Sequence, residues 1–290
     1  MINPGLEGKV ALVTGANHGI GAATACALAA QGAAVFLTYL RLGTEHVGSG
    51  DPSVPGRARY FAAQAQTADA VVHRIRAGGG RAAALEIDLS RPASVPALFD
   101  QAEATFGQVD VLVNNAAHCD STTFLPAEQR GNERERDRTY DMATMTAEAH
   151  DEHFAVNARA AALMMAEYAR RHIAASRRWG RIVNVSTDAA SCFPTQVAYG
   201  ASKYAVESYS LSAACELGAY GITVNVVAPG PTQTGYITRE AEASLIRQIP
   251  LGRLGEPEDI ADVIVFLAGE QGRWLTGQKL YAGGGKRLAL

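Results

Sequence analysis

The chain has 290 residues, of which 48% are hydrophobic and 19% charged, and its formal net charge is −3. This length can bury one substantial core, and no interdomain linker stands out, so we expect a single domain over residues 1–290. Interspersed charges argue against a nucleic acid or a membrane surface as partner. The start lacks the pattern of a signal peptide, which predicts a cytoplasmic protein. Four scattered cysteines without a Cys-x-x-Cys pair predict neither a metal site nor a disulfide.

Strands and helices alternate along the chain. Strands are predicted near 9–14, 34–39, 81–87, 109–114, 180–186, 222–228 and 278–282, and helices are predicted to begin near 19, 61, 92, 147, 197 and 256. This alternation predicts an α/β fold with a doubly wound, mostly parallel sheet of about seven strands and helices on both faces. Ligands of such a sheet bind outside the carboxyl ends of its strands.

Two stretches, near 42–59 and 118–147, are predicted to be long loops. The first is rich in glycine and proline, so it is either a surface excursion or a cover for a ligand that uses Arg57 or Arg59. The second contains a run of alternating charges, which favours a solvated face over an acidic-substrate patch. Its ends are expected near the mouth of a substrate site.

A glycine-rich turn follows the first strand. Gly15, Gly19 and Gly21 stand between that strand and an alanine-rich helix. Glycines here allow a tight turn and let a pyrophosphate approach the backbone N–H groups at the positive end of the helix. The pattern therefore predicts a dinucleotide site.

Tyr199 and Lys203 have the spacing that places two side chains on one helix face. A positive charge about 4 Å from a phenol, at an effective dielectric constant of about 20, lowers its pKa by roughly 3 units before desolvation. Tyr199 is then expected to exchange a proton near neutral pH. The alternative is an ordinary surface contact, and the strand that ends at Ser186 shortly before this helix favours a catalytic group.

Several motifs together resemble the short-chain dehydrogenase/reductase family over nearly the whole chain. They are Thr14-Gly15 with its glycine turn, Asn114-Asn115-Ala116, Asn157, Ser186, Tyr199-x-x-x-Lys203 and Pro229-Gly230. Ala117 departs from the family pattern, which has glycine at that position. The resemblance implies a Rossmann-like sheet and hydride transfer between a nicotinamide and a carbonyl or secondary alcohol.

The resemblance also implies a role for each catalytic residue. Tyr199 passes a proton to the substrate oxygen, and Ser186 donates a hydrogen bond to the same atom. Lys203 holds the nicotinamide ribose and lowers the pKa of Tyr199. Asn157 positions a water that returns the proton through Lys203.

The cofactor is expected to be NADP, with NAD as the alternative. Tyr39 stands where an acid would favour NAD, and Thr38, Arg41 and His18 could donate to a 2′-phosphate, unless Arg41 points into water. The residues expected to contact the cofactor are Gly15, Asn17, His18, Gly19, Ile20, Gly21, Thr38, Tyr39, Arg41, Asp88, Leu89, Asn115, Ala116, Ala117, Tyr199, Lys203, Pro229, Gly230, Thr232 and Thr234.

These observations favour an NADP(H)-dependent reductase of ketones or 3-oxoacyl groups. The alternatives are an NAD-dependent dehydrogenase of a sugar, steroid or other secondary alcohol, and a dinucleotide sensor without catalysis. A short segment over 236–248, corresponding to the substrate lid of the family, suggests an open site. The final strand, at a sheet edge, and the helices near 147 and 197 predict a homotetramer or a homodimer.

Overall fold

The computed structural model describes residues 3–42, 50–129 and 142–286. Its strands are β1 Val10–Val13, β2 Ala34–Tyr39, β3 Arg81–Glu86, β4 Val111–Asn114, β5 Thr122–Thr123, β6 Ala143–Thr144, β7 Gly180–Val185, β8 Ile222–Pro229 and β9 Lys279–Ala282. Its α-helices are α1 Gly19–Ala30, α2 Arg57–Gln64, α3 Asp69–Ala77, α4 Ser94–Phe106, α5 Ala147–His153, α6 Ala161–Ala174, α7 Val197–Leu217, α8 Arg239–Ile246 and α9 Pro257–Ala268. A π-helix over Phe154–Ala160 joins α5 to α6, and 3-10 turns cover Ala127–Gln129, Gly218–Tyr220 and Glu270–Gly272.

Seven strands form one sheet in the order β3-β2-β1-β4-β7-β8-β9, and every neighbouring pair is parallel. The predicted doubly wound α/β sheet is confirmed. The chain winds outward from β1 in one direction and from β4 in the other. A gap between the two windings therefore opens at the carboxyl ends of β1 and β4, where such sheets bind ligands.

Helices cover both faces, and each face has its own apolar cluster. On one face α1, α3 and α9 pack on the sheet through side chains such as Leu28, Ile75 and Ile264. On the other, α4, α6 and α7 contribute side chains such as Phe99 and Met164. Strands buried on both faces read as unbroken apolar runs, which is why the sequence located them well.

The structure also corrects several boundaries. The helix predicted near 61 is two helices, α2 and α3, so part of the loop predicted over 42–59 is helical. The loop predicted over 118–147 contains the small parallel pair β5–β6. The segment over 236–248 contains α8. The charged run at 130–138 lies outside the described residues, and in the described ranges no helix is long and apolar enough to cross a membrane.

Candidate active site

The glycine turn is locked against the end of β4. A Cβ atom on Gly15, whose φ is +63°, would lie 2.8 Å from the Ala116 Cα, and one on Gly21 would lie 2.6 Å from the Asn115 Nδ2. That amide donates to the Thr14 and Gly15 carbonyls at 2.9 Å, while the Thr14 hydroxyl accepts from the Asn115 and Ala116 N–H groups at 3.0 Å. Only glycine allows this close approach of backbones.

The start of α1 fits the phosphates of a dinucleotide. No side chain caps the helix at His18, and its first turn contains no acidic residue. The N–H groups and the positive helix end are therefore available to an anion. Ile20 packs on the apolar cluster beneath α1 and supports the turn from below.

Asn17 and His18 contact α2. The Asn17 amide donates to the Gln64 and Gln66 carbonyls at 3.3 and 2.9 Å. The His18 ring meets the edge of Tyr60 with a centroid distance of 5.3 Å, and burial lowers the His18 pKa to about 4. His18 is therefore neutral at pH 7, so it can offer a phosphate a hydrogen bond but no charge.

The residues expected to select the cofactor do not all face one site. Thr38 is buried and accepts the Ala16 N–H through its carbonyl. Arg41 pairs with Glu86 at the end of β3, with Nη2–Oε2 at 2.8 Å and Nε within 3.0 Å of both carboxylate oxygens. The Arg41 side chain is 51% exposed but paired, so a 2′-phosphate would have to share the guanidinium with Glu86.

The residues after β3 and β4 occupy different surroundings. The Asp88 carboxylate accepts the Ser90 N–H at 2.9 Å and pairs with Arg91 at 3.2 Å. Leu89 packs into the core on the α4 face, while Ala117 is exposed. Their expected cofactor contacts stay predictions.

The turn after β8 brings two backbones together. Gly230 donates its N–H to the Ala282 carbonyl at 3.1 Å, and a Cβ on it would lie 2.6 Å from the Gly283 Cα. The Thr232 hydroxyl donates to the Gly230 carbonyl at 3.0 Å. Thr234 reaches the glycine turn, because a Cβ on Gly19 would lie 3.2 Å from its side chain. The two expected cofactor loops therefore face each other.

Tyr199 and Lys203 lie on one face of α7, as predicted, with the Lys203 Nζ 5.8 Å from the Tyr199 ring centroid. The expectation that Lys203 makes the phenol acidic is wrong for this conformation. Burial holds the Tyr199 pKa well above its usual value, and Cys119, Tyr236, Tyr60 and Asp188 add to this effect. Desolvation of the phenolate is the largest cause of this shift. The Lys203 Nζ donates to the Val185 carbonyl at 2.8 Å.

Ser186 directly follows β7, and its hydroxyl is bound to a buried carboxylate. Ser186 Oγ donates to the Glu207 Oε1 at 2.6 Å, and Lys279 donates to the same carboxylate at 2.8 Å. The next residue, Thr187, has a hydroxyl whose nearest acceptor is Asp188 at 3.4 Å. Sequence reasoning missed Thr187, Glu207 and Lys279, although hydroxyls in adjacent positions after a strand were a visible signal.

The π-helix carries Asn157 and buries its side chain. Asn157 Oδ1 accepts the His118 N–H at 2.7 Å, and Nδ2 donates to the His118 carbonyl and the Ser202 hydroxyl at 2.8 and 2.9 Å. The side chain thus ties α7 to the loop after β4. Its role in positioning a water stays a prediction.

Helix α2 and the residue before it contact the segment after β8 beside this site, and a cover over a ligand is one of the two alternatives that the sequence left open for the stretch near 42–59. Gly56, before α2, donates to the Gly235 carbonyl at 2.8 Å, and Tyr60 on α2 meets Tyr236 edge-on at 5.9 Å. After burial, Tyr236 and Tyr60 are among the groups that raise the Tyr199 pKa. The stretch near 42–59 therefore reaches the site through its helical end.

One group of side chains beside Asn157 has the composition of a metal site. Ligand atoms of His118, Asp120 and Glu152 lie within 4.8 Å of one another, with His118 Nε2 3.0 Å from the Asp120 carboxylate. Asp120 and Glu152 are exposed, and ion pairing accounts for the arrangement. The predicted lack of a metal stays a prediction.

Comparison with known proteins gives consistent matches. The sequence pattern of a family described as enoyl-(acyl carrier protein) reductase matches residues 56–287. An uncharacterized oxidoreductase of Methylorubrum extorquens is 36% identical, with 97% of this chain and 99% of the relative covered. A dehydrogenase/reductase of Sinorhizobium meliloti superimposes with a TM-score of 0.76 at 33% identity, covering 98% and 97% of the two chains. The angucycline C-6 ketoreductase LanV, solved with bound NADP, gives 0.76 at 34% identity, with coverage of 98% and 97%.

Proposed function

Because this chain belongs to the short-chain dehydrogenase/reductase family, and is an oxidoreductase acting on CH–OH groups, we propose that it is an NADP(H)-dependent ketone reductase. The observation that carries the proposal is the Tyr199–Lys203 pair on one face of α7, with Lys203 held against the carboxyl end of β7. A dinucleotide sensor would have no need of this pair. The reductase of 3-oxoacyl groups remains within the same proposal.

A nicotinamide bound at this site would supply or accept the hydride. Tyr199 supplies the proton to the substrate oxygen. Because burial raises the Tyr199 pKa, the phenol keeps its proton at neutral pH and is in the protonated form that reduction requires. Burial lowers the Lys203 pKa to about 8, so Lys203 is still mostly an ammonium at pH 7 and can hold the ribose hydroxyls.

Two hydroxyls at the end of β7 compete for the contact with the substrate oxygen. The Ser186 hydroxyl donates a hydrogen bond to Glu207 at 2.6 Å, whereas the Thr187 hydroxyl is 3.4 Å from its acceptor, Asp188. A 3.4 Å contact is weak, so the Thr187 proton remains available to a ligand. We therefore assign the stabilising hydrogen bond to Thr187, with Ser186 as the competing prediction.

The choice of cofactor has support on both sides. NADP is favoured because no acid follows β2 and because the similar ketoreductase LanV was solved with NADP. The second candidate, an NAD-dependent dehydrogenase of a secondary alcohol, is favoured by Glu86, whose carboxylate holds Arg41 and would repel a 2′-phosphate. Kinetics with each cofactor decide between them.

A cytoplasmic homotetramer or homodimer is part of the proposal. β9 is at the sheet edge, as predicted, and the nearby Trp274 and Tyr281 are 95% and 64% exposed. Large exposed apolar side chains beside an open strand edge favour contact with a second copy.

The proposed chemistry is tested with Tyr199→Phe. We expect normal folding and NADPH binding and a turnover at least ~10²-fold lower, the usual range for loss of a positioned acid. The measurement is NADPH absorbance with a panel of ketones, and Tyr204→Phe, an exposed tyrosine on the same helix, is the control. Near-normal turnover in Tyr199→Phe would refute the assignment.

A further inference from the structure

Helix α7 is hydrogen-bonded to the end of β7 through two side chains that lie one helical turn apart. Lys203 donates through Nζ to the Val185 carbonyl at 2.8 Å. Glu207, four residues further along α7, accepts from the Ser186 hydroxyl at 2.6 Å. The last residues of the strand are therefore held by a cation and an anion from successive turns of the catalytic helix.

A third element completes this arrangement. Lys279, the first residue of β9, donates to the Glu207 carboxylate at 2.8 Å, and its ammonium lies 4.7 Å from the Tyr281 ring. Glu207 is only 7% exposed, whereas Tyr281 is 64% exposed. A buried carboxylate with two charge-assisted partners is held rigidly, because leaving either partner unpaired is costly.

Lys203 depends on its anionic surroundings to stay charged. Its amine is buried, which lowers its pKa to about 8, while Cys119 and Glu207 oppose the shift. Burial raises the Cys119 pKa to about 12, so this thiol carries no charge at neutral pH. The neighbouring phenol of Tyr199 is also neutral, because its pKa is raised well above its usual value. Among these groups Glu207 is the carboxylate, and the Lys279 ammonium pairs with it at 2.8 Å.

We propose that Glu207, anchored by Lys279, is a positioning residue that keeps Lys203 charged and holds the end of β7 in register with the catalytic helix. The carboxylate acts through Lys203 and Ser186 and has no contact with the substrate. It also turns the Ser186 hydroxyl inward and leaves the next hydroxyl, that of Thr187, to the substrate. This inference rests on the proposed reductase function.

The test is the pH dependence of kcat/KM for NADPH, which reports ionisations of the free enzyme. The same profile is read from the NADPH dissociation constant by fluorescence, which requires no substrate. In the wild type we expect both to weaken above about pH 8, as Lys203 loses its proton. Glu207→Gln should move this midpoint about one pH unit lower, the size of effect expected from a nearby opposite charge.

Further variants separate charge from packing. Glu207→Asp keeps the negative charge, so its midpoint should stay close to that of the wild type. Lys279→Met leaves the buried Glu207 carboxylate without its charged partner, which favours its neutral form, so part of the downward shift should appear in this variant. Glu216→Gln, an exposed glutamate on the same helix, is the matched control and should leave it unchanged. Thermal unfolding of each variant verifies that the fold is intact.

An unmoved midpoint in Glu207→Gln, or an upward shift in Lys279→Met, overturns the proposal. If Glu207→Gln does not fold, Lys279→Met and Glu207→Asp still decide it. Failure of the proposed function has a different signature. No ketone would be reduced by any variant, while the binding profile would still show whether Glu207 controls the charge of Lys203.

Discussion

The two hydroxyls at the end of β7 can be told apart by one pair of substitutions, Ser186→Ala and Thr187→Val. Ser186 is 3% exposed, and its hydroxyl donates a hydrogen bond to Glu207 at 2.6 Å. Losing a buried hydrogen bond to a charged group destabilises a protein by about 1.5–3 kcal/mol. We therefore expect Ser186→Ala to lower the free energy of unfolding by that amount and turnover by less than about threefold.

Thr187→Val should show the opposite pattern. Valine keeps the shape of the side chain and removes only the hydroxyl, whose contact with Asp188 is 3.4 Å long and contributes little to stability. Losing a donor to developing negative charge costs about 10²–10³-fold in kcat. The valine variant should therefore unfold like the wild type while its turnover falls by that factor.

Both quantities are measured on the same preparations, with urea unfolding for stability and NADPH absorbance for turnover. The Tyr199→Phe variant provides the reference for loss of the proton donor. A large loss of turnover in Ser186→Ala with a nearly normal Thr187→Val would refute the assignment and return the role to Ser186.

Three further expectations follow from other parts of the structure. Arg41→Ala should erode a preference for NADPH by ~1–3 kcal/mol in kcat/KM, as for loss of a charge-assisted hydrogen bond, and a wild type that prefers NADH contradicts it. His18 has a pKa of about 4 in the fold against 6.5 when unfolded, so the unfolded chain binds the extra proton between these values. The free energy of unfolding should fall by up to about 3 kcal/mol as pH drops from 6.5 to 4. His18→Gln should make the free energy of unfolding depend less on pH over that range. Light scattering at micromolar concentration should show a tetramer or a dimer, and a monomeric mass rules out association through β9.

The sequence by itself determined the sheet and the local motifs. Buried parallel strands are continuous apolar runs, so all seven strands of the sheet were predicted, and their parallel order was confirmed. The glycine turn and the Tyr199–Lys203 spacing depend on neighbours within a few residues, so they too could be read directly. Short elements such as β5, β6 and α8 were missed, because two to eight residues carry too little periodicity to stand out.

Tertiary structure decided how these side chains are used. Glu207 and Lys279 are 72 residues apart, and no local pattern connects either of them with Ser186. Glu86 takes up Arg41 because β2 and β3 are neighbours in the sheet, although 45 residues of chain separate the two side chains. The pKa of Tyr199 depends on how much protein surrounds the phenol. Helical spacing places Lys203 on the same face as Tyr199, but only the packed fold buries the phenol, and this burial raises its pKa.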